Sequence, residues 1–283
     1  MRIVVTGGSG RVGKFIVADL AAHGHEVTSI DFSPAPTRLA GVRFMTGDVS
    51  KFEDIAGALS YAKADAIVHM AAWSDPGIVA DTKTYGDNAR ATFNVLQAAH
   101  DLRLNRVIVA SSAQVYGFAE KPPLYAPVDE EHPLTPLNSY ALSKIAGEEA
   151  ARYFTDRHGL NVLTFRIMGV RAPQDIAAEI ARSKVDPAPD RFLLWTRTDA
   201  RDIATGCRLA LEAESVASGI YNLSGSCNIL EKPSAELLAL HSAGTEIRSG
   251  LEGDSSPFSS AKARKAFGYE PKFVWSVSRD HAL

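Results

Sequence analysis

The chain has 283 residues, 46% of them hydrophobic, enough to bury a sizeable core in one large α/β domain or two small ones. Its 30 Lys and Arg against 33 Asp and Glu leave a net charge of -3, which excludes a general attraction to nucleic acid or anionic membranes and favours a small neutral or anionic ligand. The two cysteines, Cys207 and Cys227, form no C-x-x-C pair and have no His cluster beside them, so no disulfide framework and no metal site are expected, and a reducing, cytoplasmic setting is.

Met1 runs directly into RIVVT, which leaves no room for a secretory leader, and no apolar run is long enough to span a bilayer. From there short β-branched runs alternate with stretches of helical period. RIVVT precedes a helix over 11–23, EVTSI precedes a loop, VRFMTGD precedes a helix over 52–60, and DAIVHMA precedes one over 85–102. RVIVASS and NVLTFRI follow, separated by a long helical segment over 139–158. Strands bounded by turns and alternating with helices imply βαβ crossovers, hence an α/β fold of the Rossmann type, a doubly wound parallel sheet covered on both faces. Such sheets bind ligands beyond the carboxyl ends of their strands. After Gly169 the rhythm weakens at Pro173, Pro187 and Pro189; RFLLW returns as a strand followed by a helix, and GIYNLSG reads as one more strand. The expected division is therefore a nucleotide-binding part over 1–170 and, over 171–283, a small C-terminal substrate cap that also returns strands and a helix to the sheet.

VVTGGSGRVGKFIVADL places Gly7, Gly10 and Gly13 between the first strand and its helix, and Gly8, Gly10 and Gly13 satisfy G-x-G-x-x-G. The first glycines permit a tight turn, Gly10 lets a diphosphate approach the backbone, and Gly13 lets strand and helix pack closely, while the helix N-terminus offers N–H donors. Asp31 closes the second strand, where a carboxylate can accept the ribose hydroxyls of an adenosine. That carboxylate would repel a 2′-phosphate, so NAD is expected rather than NADP; Arg11 and Arg38 are the residues that could offset the repulsion.

Two later stretches complete a catalytic set. In SSAQVYG, Ser112 ends the fifth strand at the ligand edge; in NSYALSK, Tyr140 and Lys144 lie one helical turn apart and face the same way. A tyrosine with an ordinary pKa near 10 is a poor base, and a neighbouring ammonium is expected to favour its phenolate. Ser112 would then hold the substrate oxygen, Tyr140 would exchange the hydroxyl proton, and a cofactor would carry the hydride. His69, on an apolar strand, reads as a satisfied core histidine.

On TGGSGRVG, Asp31, GDV, HMAA, Asn88, SSAQVYG and YALSK, the chain resembles the extended short-chain dehydrogenase/reductases, the NAD-dependent epimerase/dehydratase group, over nearly its whole length. The resemblance implies that Gly7, Gly10, Arg11, Val12, Gly13, Asp31, Asp48, Val49, Ala71, Ala72, Asn88, Tyr140 and Lys144 hold the cofactor, with Asp48 and Val49 against adenine. It also implies a homodimer, formed through the helices over 85–102 and 139–158. Two departures bear on substrate. Gly169 stands where the nucleotide-sugar members have the Asn of R-x-x-N-V-x-G-P, and Trp195 stands where they have an Arg that grips the nucleotide phosphates. The short cap and DRFLLW are most similar to uronate dehydrogenases, which oxidise a free uronic acid at its anomeric carbon. That similarity implies substrate contacts at Ser74, Ser112, Gln114 and Arg191, although Ala113 and Gln114 replace the Asn-His of that group. The expected activity is hydride transfer between NAD and a free sugar, uronate or related sugar acid. A sugar epimerase is the alternative enzyme, and a non-catalytic NAD-binding regulator the alternative of another class.

Overall fold

The structure, a computed structural model, describes residues 1–35 and 39–278. Arg38 lies outside the described residues. In chain order the elements are β1 (Arg2–Thr6), α1 (Gly13–Ala22), β2 (Glu26–Asp31), β3 (Arg43–Thr46), α2 (Phe52–Ala62), β4 (Ala66–His69), α3 (Asp81–Asp101) and β5 (Arg106–Ser112). They continue with β6 (Tyr125–Ala126), α4 (Ser139–His158), β7 (Val162–Ile167), β8 (Val170–Arg171), α5 (Pro173–Val185), β9 (Thr198–Asp199) and α6 (Ala200–Glu212). The chain closes with β10 (Gly219–Leu223), α7 (Ser234–His241), β11 (Glu246–Ile247) and α8 (Ala261–Phe267).

Seven strands form one sheet in the order β10-β7-β5-β4-β1-β2-β3, every pairing parallel. The pleat sorts the apolar residues onto two faces. Ile3 and Val5 of β1, Ala66 and Val68 of β4, Ile108 of β5 and Phe165 of β7 join Ile16, Val17 and Leu20 of α1 and Cys207 of α6 in one core. Val4, Ile67, Val107, Val109 and Val162 point the other way, against Leu59 of α2, Leu96 of α3 and Phe154 of α4. Continuous apolar runs such as RIVVT are thus what a strand buried on both faces requires. The direction of strand progression reverses between β1 and β4, and a cleft opens beyond their carboxyl ends.

The region after β7 builds a third core around Tyr116, Trp195, Phe258, Ile176 and Leu237. Here the structure departs from the sequence reading. RFLLW is not a strand: Ala188–Leu193 is a 3-10 turn, Leu194 and Trp195 both have positive φ, 48° and 52°, and only Thr198 and Asp199 extend. Pro173 does not interrupt structure but starts α5 from its first turn, where a missing N–H costs nothing. Helix α1 begins at Gly13 rather than at residue 11, because the glycine turn runs through Val12. Helix α3 begins at Asp81, one turn earlier than the apolar period shows, in the polar segment Asp81–Thr84.

Helices α3 and α4 pack side by side and leave Tyr85, Phe93, Leu142 and Tyr153 exposed on their outer face. No described helix is long and apolar enough to cross a membrane.

Candidate active site

The cleft has a volume of about 700 Å³ and runs from the glycine loop, past Asp31 and the ends of β4 and β5, to the first turn of α4 and the loop after β7. Gly7 has φ 68°, and a Cβ there would stand 2.7 Å from the backbone nitrogen of Ala71. A Cβ on Gly13 would collide with the Gly7 carbonyl, so this glycine is what lets α1 seat against the loop. No side chain caps the start of α1; Lys14 N bonds Gly10 O at 3.3 Å and Phe15 N bonds Val12 O at 3.0 Å, so the N–H groups of Arg11, Val12 and Gly13 are the ones there with no bond among the described residues, and they could serve an anionic ligand. Gly10, Arg11 and Val12 line the same end of the cleft.

Asp31 is oriented by the loop it serves: its carboxylate accepts from Ser9 N at 3.1 Å and from Ser33 N at 3.0 Å. Each oxygen keeps a lone pair free for a ribose hydroxyl. A smaller hollow of about 260 Å³ continues from Asp31, Ala71 and Ala72 and is walled by Asp48, Val49 and Asn88. Glycine turn, carboxylate and side hollow fit the diphosphate, ribose and adenine of a dinucleotide in that order. Asn88 reaches this wall while pinning it, since its side chain accepts from Trp73 N at 2.9 Å and donates to Trp73 O and to Ser143 Oγ, both at 3.1 Å. Phe32 and Trp73, their ring centroids 5.5 Å apart, also flank the hollow and were not found from the sequence, where neither sits in a motif.

Ser112, Tyr140 and Lys144 all line the main cleft and all are buried. Asn138 caps α4, accepting from Ala141 N at 2.8 Å, and its amide donates to Gln114 Oε1 at 3.2 Å. Gln114 N in turn donates to Ser112 Oγ at 3.2 Å. This chain of bonds sets the end of β5 against the start of α4, and the N-cap preference of Asn was the signal that would have revealed Asn138. Lys144 Nζ donates to Ala110 O at 2.9 Å and stands 5.5 Å from the Tyr140 ring centroid.

The expected acidification of the phenol is not found. Burial pushes Tyr140 up to about 12, opposed by a hydrogen bond with Ser112 and raised further by the Asp75 carboxylate. Lys144 is itself desolvated, down to about 8, with Glu148 working to restore it. Taking a phenolate out of water costs more than these neighbours return.

Behind Lys144, one turn along α4, Glu148 accepts from Ser111 Oγ at 2.6 Å and forms a two-point pair with Arg166, Nη2 to Oε2 at 2.7 Å and Nε to Oε1 at 2.9 Å. Both side chains are only 4% exposed. His69 is a satisfied core residue, its ring held by Thr6 Oγ1 at 2.8 Å and Thr92 Oγ1 at 3.3 Å. Burial first, and the Lys144 charge second, bring it down to about 3 from an ordinary 6.5. The unfolded chain therefore takes up this proton first as pH falls. Stability held at neutral pH should decline from pH 6.5 towards 3 by up to about 1.4 kcal/mol per unit from this group. Thermal melts over that range should show a shallower decline in His69→Gln; an identical slope would remove the assignment.

Of the residues implied for substrate, Ser74, Ser112 and Gln114 line the cleft, and Arg191 does not. Arg191 lies exposed in the 3-10 turn at the edge of the cleft, with Nη2 donating at 3.1 Å to the carbonyl of Ala119, which, like the neighbouring Phe192, does line it. Trp195 is fully buried, and its Nε1 donates to Pro187 O at 2.8 Å. Arg171, passed over in the sequence, is the guanidinium that lines the wall near Gly169.

The sequence profile of the NAD dependent epimerase/dehydratase family matches residues 3–224. The chain belongs to this family. It is 28% identical over 199 residues to a UDP-glucose 4-epimerase of Lactobacillus helveticus, a match covering 69% of this chain and 58% of that protein, so the chain spans little more than half of that relative's length. It is 31% identical over 223 residues to an L-arabinose 1-dehydrogenase (NAD(P)(+)) of Haloferax volcanii, covering 75% of this chain and 83% of the relative. Among solved structures, an NAD-bound short-chain dehydrogenase/reductase superfamily protein of Agrobacterium tumefaciens superposes with a TM-score of 0.72 at 22% identity, over 96% of this chain and 93% of the other. NAD is the cofactor of the epimerase/dehydratase family, and the glycine turn and Asp31 are residues that could hold it.

Proposed function

We propose that this chain is an NAD-dependent oxidoreductase acting on a free sugar, uronate or related sugar acid. The observation that carries the reading is the convergence of Ser112, Tyr140 and Lys144 on the cleft that the glycine loop and Asp31 also line. Bound NAD supplies the two-electron acceptor, taking hydride as the carbon bearing the hydroxyl becomes a carbonyl. Ser112 Oγ holds the reacting oxygen, and the Tyr140 phenol exchanges its proton. Lys144, brought down only to about 8, keeps its charge at neutral pH and favours the phenolate as it forms. Trp195, buried where nucleotide-sugar members carry a phosphate-gripping Arg, supports a substrate without a nucleotide, as does the L-arabinose dehydrogenase relative. The test is a panel of aldoses, uronates and aldonates assayed for NADH absorbance; silence across the panel while NAD binds would remove the reading.

The likeness to UDP-glucose 4-epimerases favours a second reading, a sugar epimerase that removes and returns one hydride in each turnover. Such an enzyme would retain NAD through purification and consume none, whereas an oxidoreductase exchanges it. The proposal includes a homodimer formed through the exposed Tyr85, Phe93, Leu142 and Tyr153 face, which sedimentation would remove by returning a single-chain mass.

A further inference from the structure

We propose that the sugar end of the cleft is built for an uncharged sugar, with the Asp75 carboxylate accepting, and the Arg171 guanidinium donating, hydrogen bonds to its hydroxyls. The inference rests on the oxidoreductase reading and narrows its substrate class to neutral aldoses over uronates, sugar phosphates and nucleotide sugars.

Asp75 lines the cleft beside Ser74, whose Oγ donates to Asp75 Oδ2 at 3.0 Å. Its partner is Arg11 of the glycine loop, at 3.1 Å, and both side chains are about half exposed, so the pair is screened and loose. A carboxylate in that position repels a second carboxylate or a phosphate but accepts well from sugar hydroxyls.

Arg171 also lines the cleft, and its charge is matched by a carboxylate. Its Nε donates to Glu179 Oε1 at 2.6 Å and its Nη1 to Val170 O at 2.9 Å, while Nη2 has no hydrogen-bond partner among the described residues. Glu179 also accepts from Arg197, which is 2% exposed and pairs with Asp190 at 2.9 Å. Two guanidinium groups and two carboxylates therefore cancel. Arg11 and Lys144 are the other cations lining the cleft among the described residues, and Arg11 is matched by Asp75 and Lys144 lies beside Tyr140. On the sugar side the two lining guanidinium groups, Arg11 and Arg171, are thus each paired with a carboxylate, and Lys144 is the remaining lining cation among the described residues.

The test measures kcat/KM by NADH formation for matched pairs, glucose with glucuronate and galactose with galacturonate, in the full chain and in two variants. The parent should favour the aldose of a pair by about tenfold or more. Asp75→Asn, a change at an exposed position, and Glu179→Gln, which leaves Arg197 its Asp190 partner, should each narrow that gap by about tenfold in favour of the uronate. Preference for the uronate in the parent, or a gap that neither variant moves, would overturn the inference while leaving the oxidoreductase standing. Absence of any sugar oxidation in a chain that binds NAD would overturn both.

Discussion

Tyr140→Phe should lower kcat for sugar oxidation by about 1000-fold or more while leaving NAD affinity nearly unchanged. The ring is buried in the first full turn of α4, so removing one oxygen preserves its packing, and on the proposed reading the glycine loop and Asp31 would carry most of the cofactor's binding. What disappears is the phenol that, in that reading, exchanges the hydroxyl proton beside Ser112. Initial rates give the first quantity and fluorescence titration with NAD the second. A variant turning over at the parent rate would show that the proton leaves by another route, and an equal loss of NAD binding would show that Tyr140 shapes the cofactor site instead.

Arg166→Met should destabilise the fold by about 3–5 kcal/mol, because it strands the Glu148 carboxylate among buried groups. For a chain of this size that is on the order of 10 °C in Tm. Ser111 alone would still donate to Glu148, which is too little to hold a buried charge. The double variant Glu148→Leu with Arg166→Met, having no charge left to strand, should recover most of the loss. Differential scanning calorimetry of the parent, the single variant and the double variant distinguishes these outcomes. A single variant that melts with the parent would mean that the pair contributes nothing net.

What the sequence discloses follows from how local each signal is. The strands of the sheet are visible because both faces are apolar and each run is short and bounded by turns; the glycine loop, Asp31 and the Tyr140–Lys144 spacing are visible because each lies within a few residues of its own element. The pairs that set the electrostatics join distant positions: Ser111 and Arg166 to Glu148, Asp75 to Arg11, Asn138 to Gln114. Nothing in a linear pattern brings them together. RFLLW illustrates the complementary failure, for its turn depends on two successive residues, Leu194 and Trp195, adopting a left-handed backbone that apolar residues rarely take. The phenol's acidity also escaped, since spacing reveals the ammonium but not the depth at which both groups are buried.

Strand β10 lies at the edge of the sheet against β7, although about fifty residues of intervening chain, including α5 and α6, separate the two. A polypeptide cut after residue 170 would therefore end with β7 bare along one side, its amide groups ready to recruit a strand from a neighbouring molecule. Insolubility of such a fragment would reflect an unfinished sheet rather than a faulty nucleotide fold, and swapping the distal portion between relatives to alter sugar choice would have to carry β10 and α6 along with it.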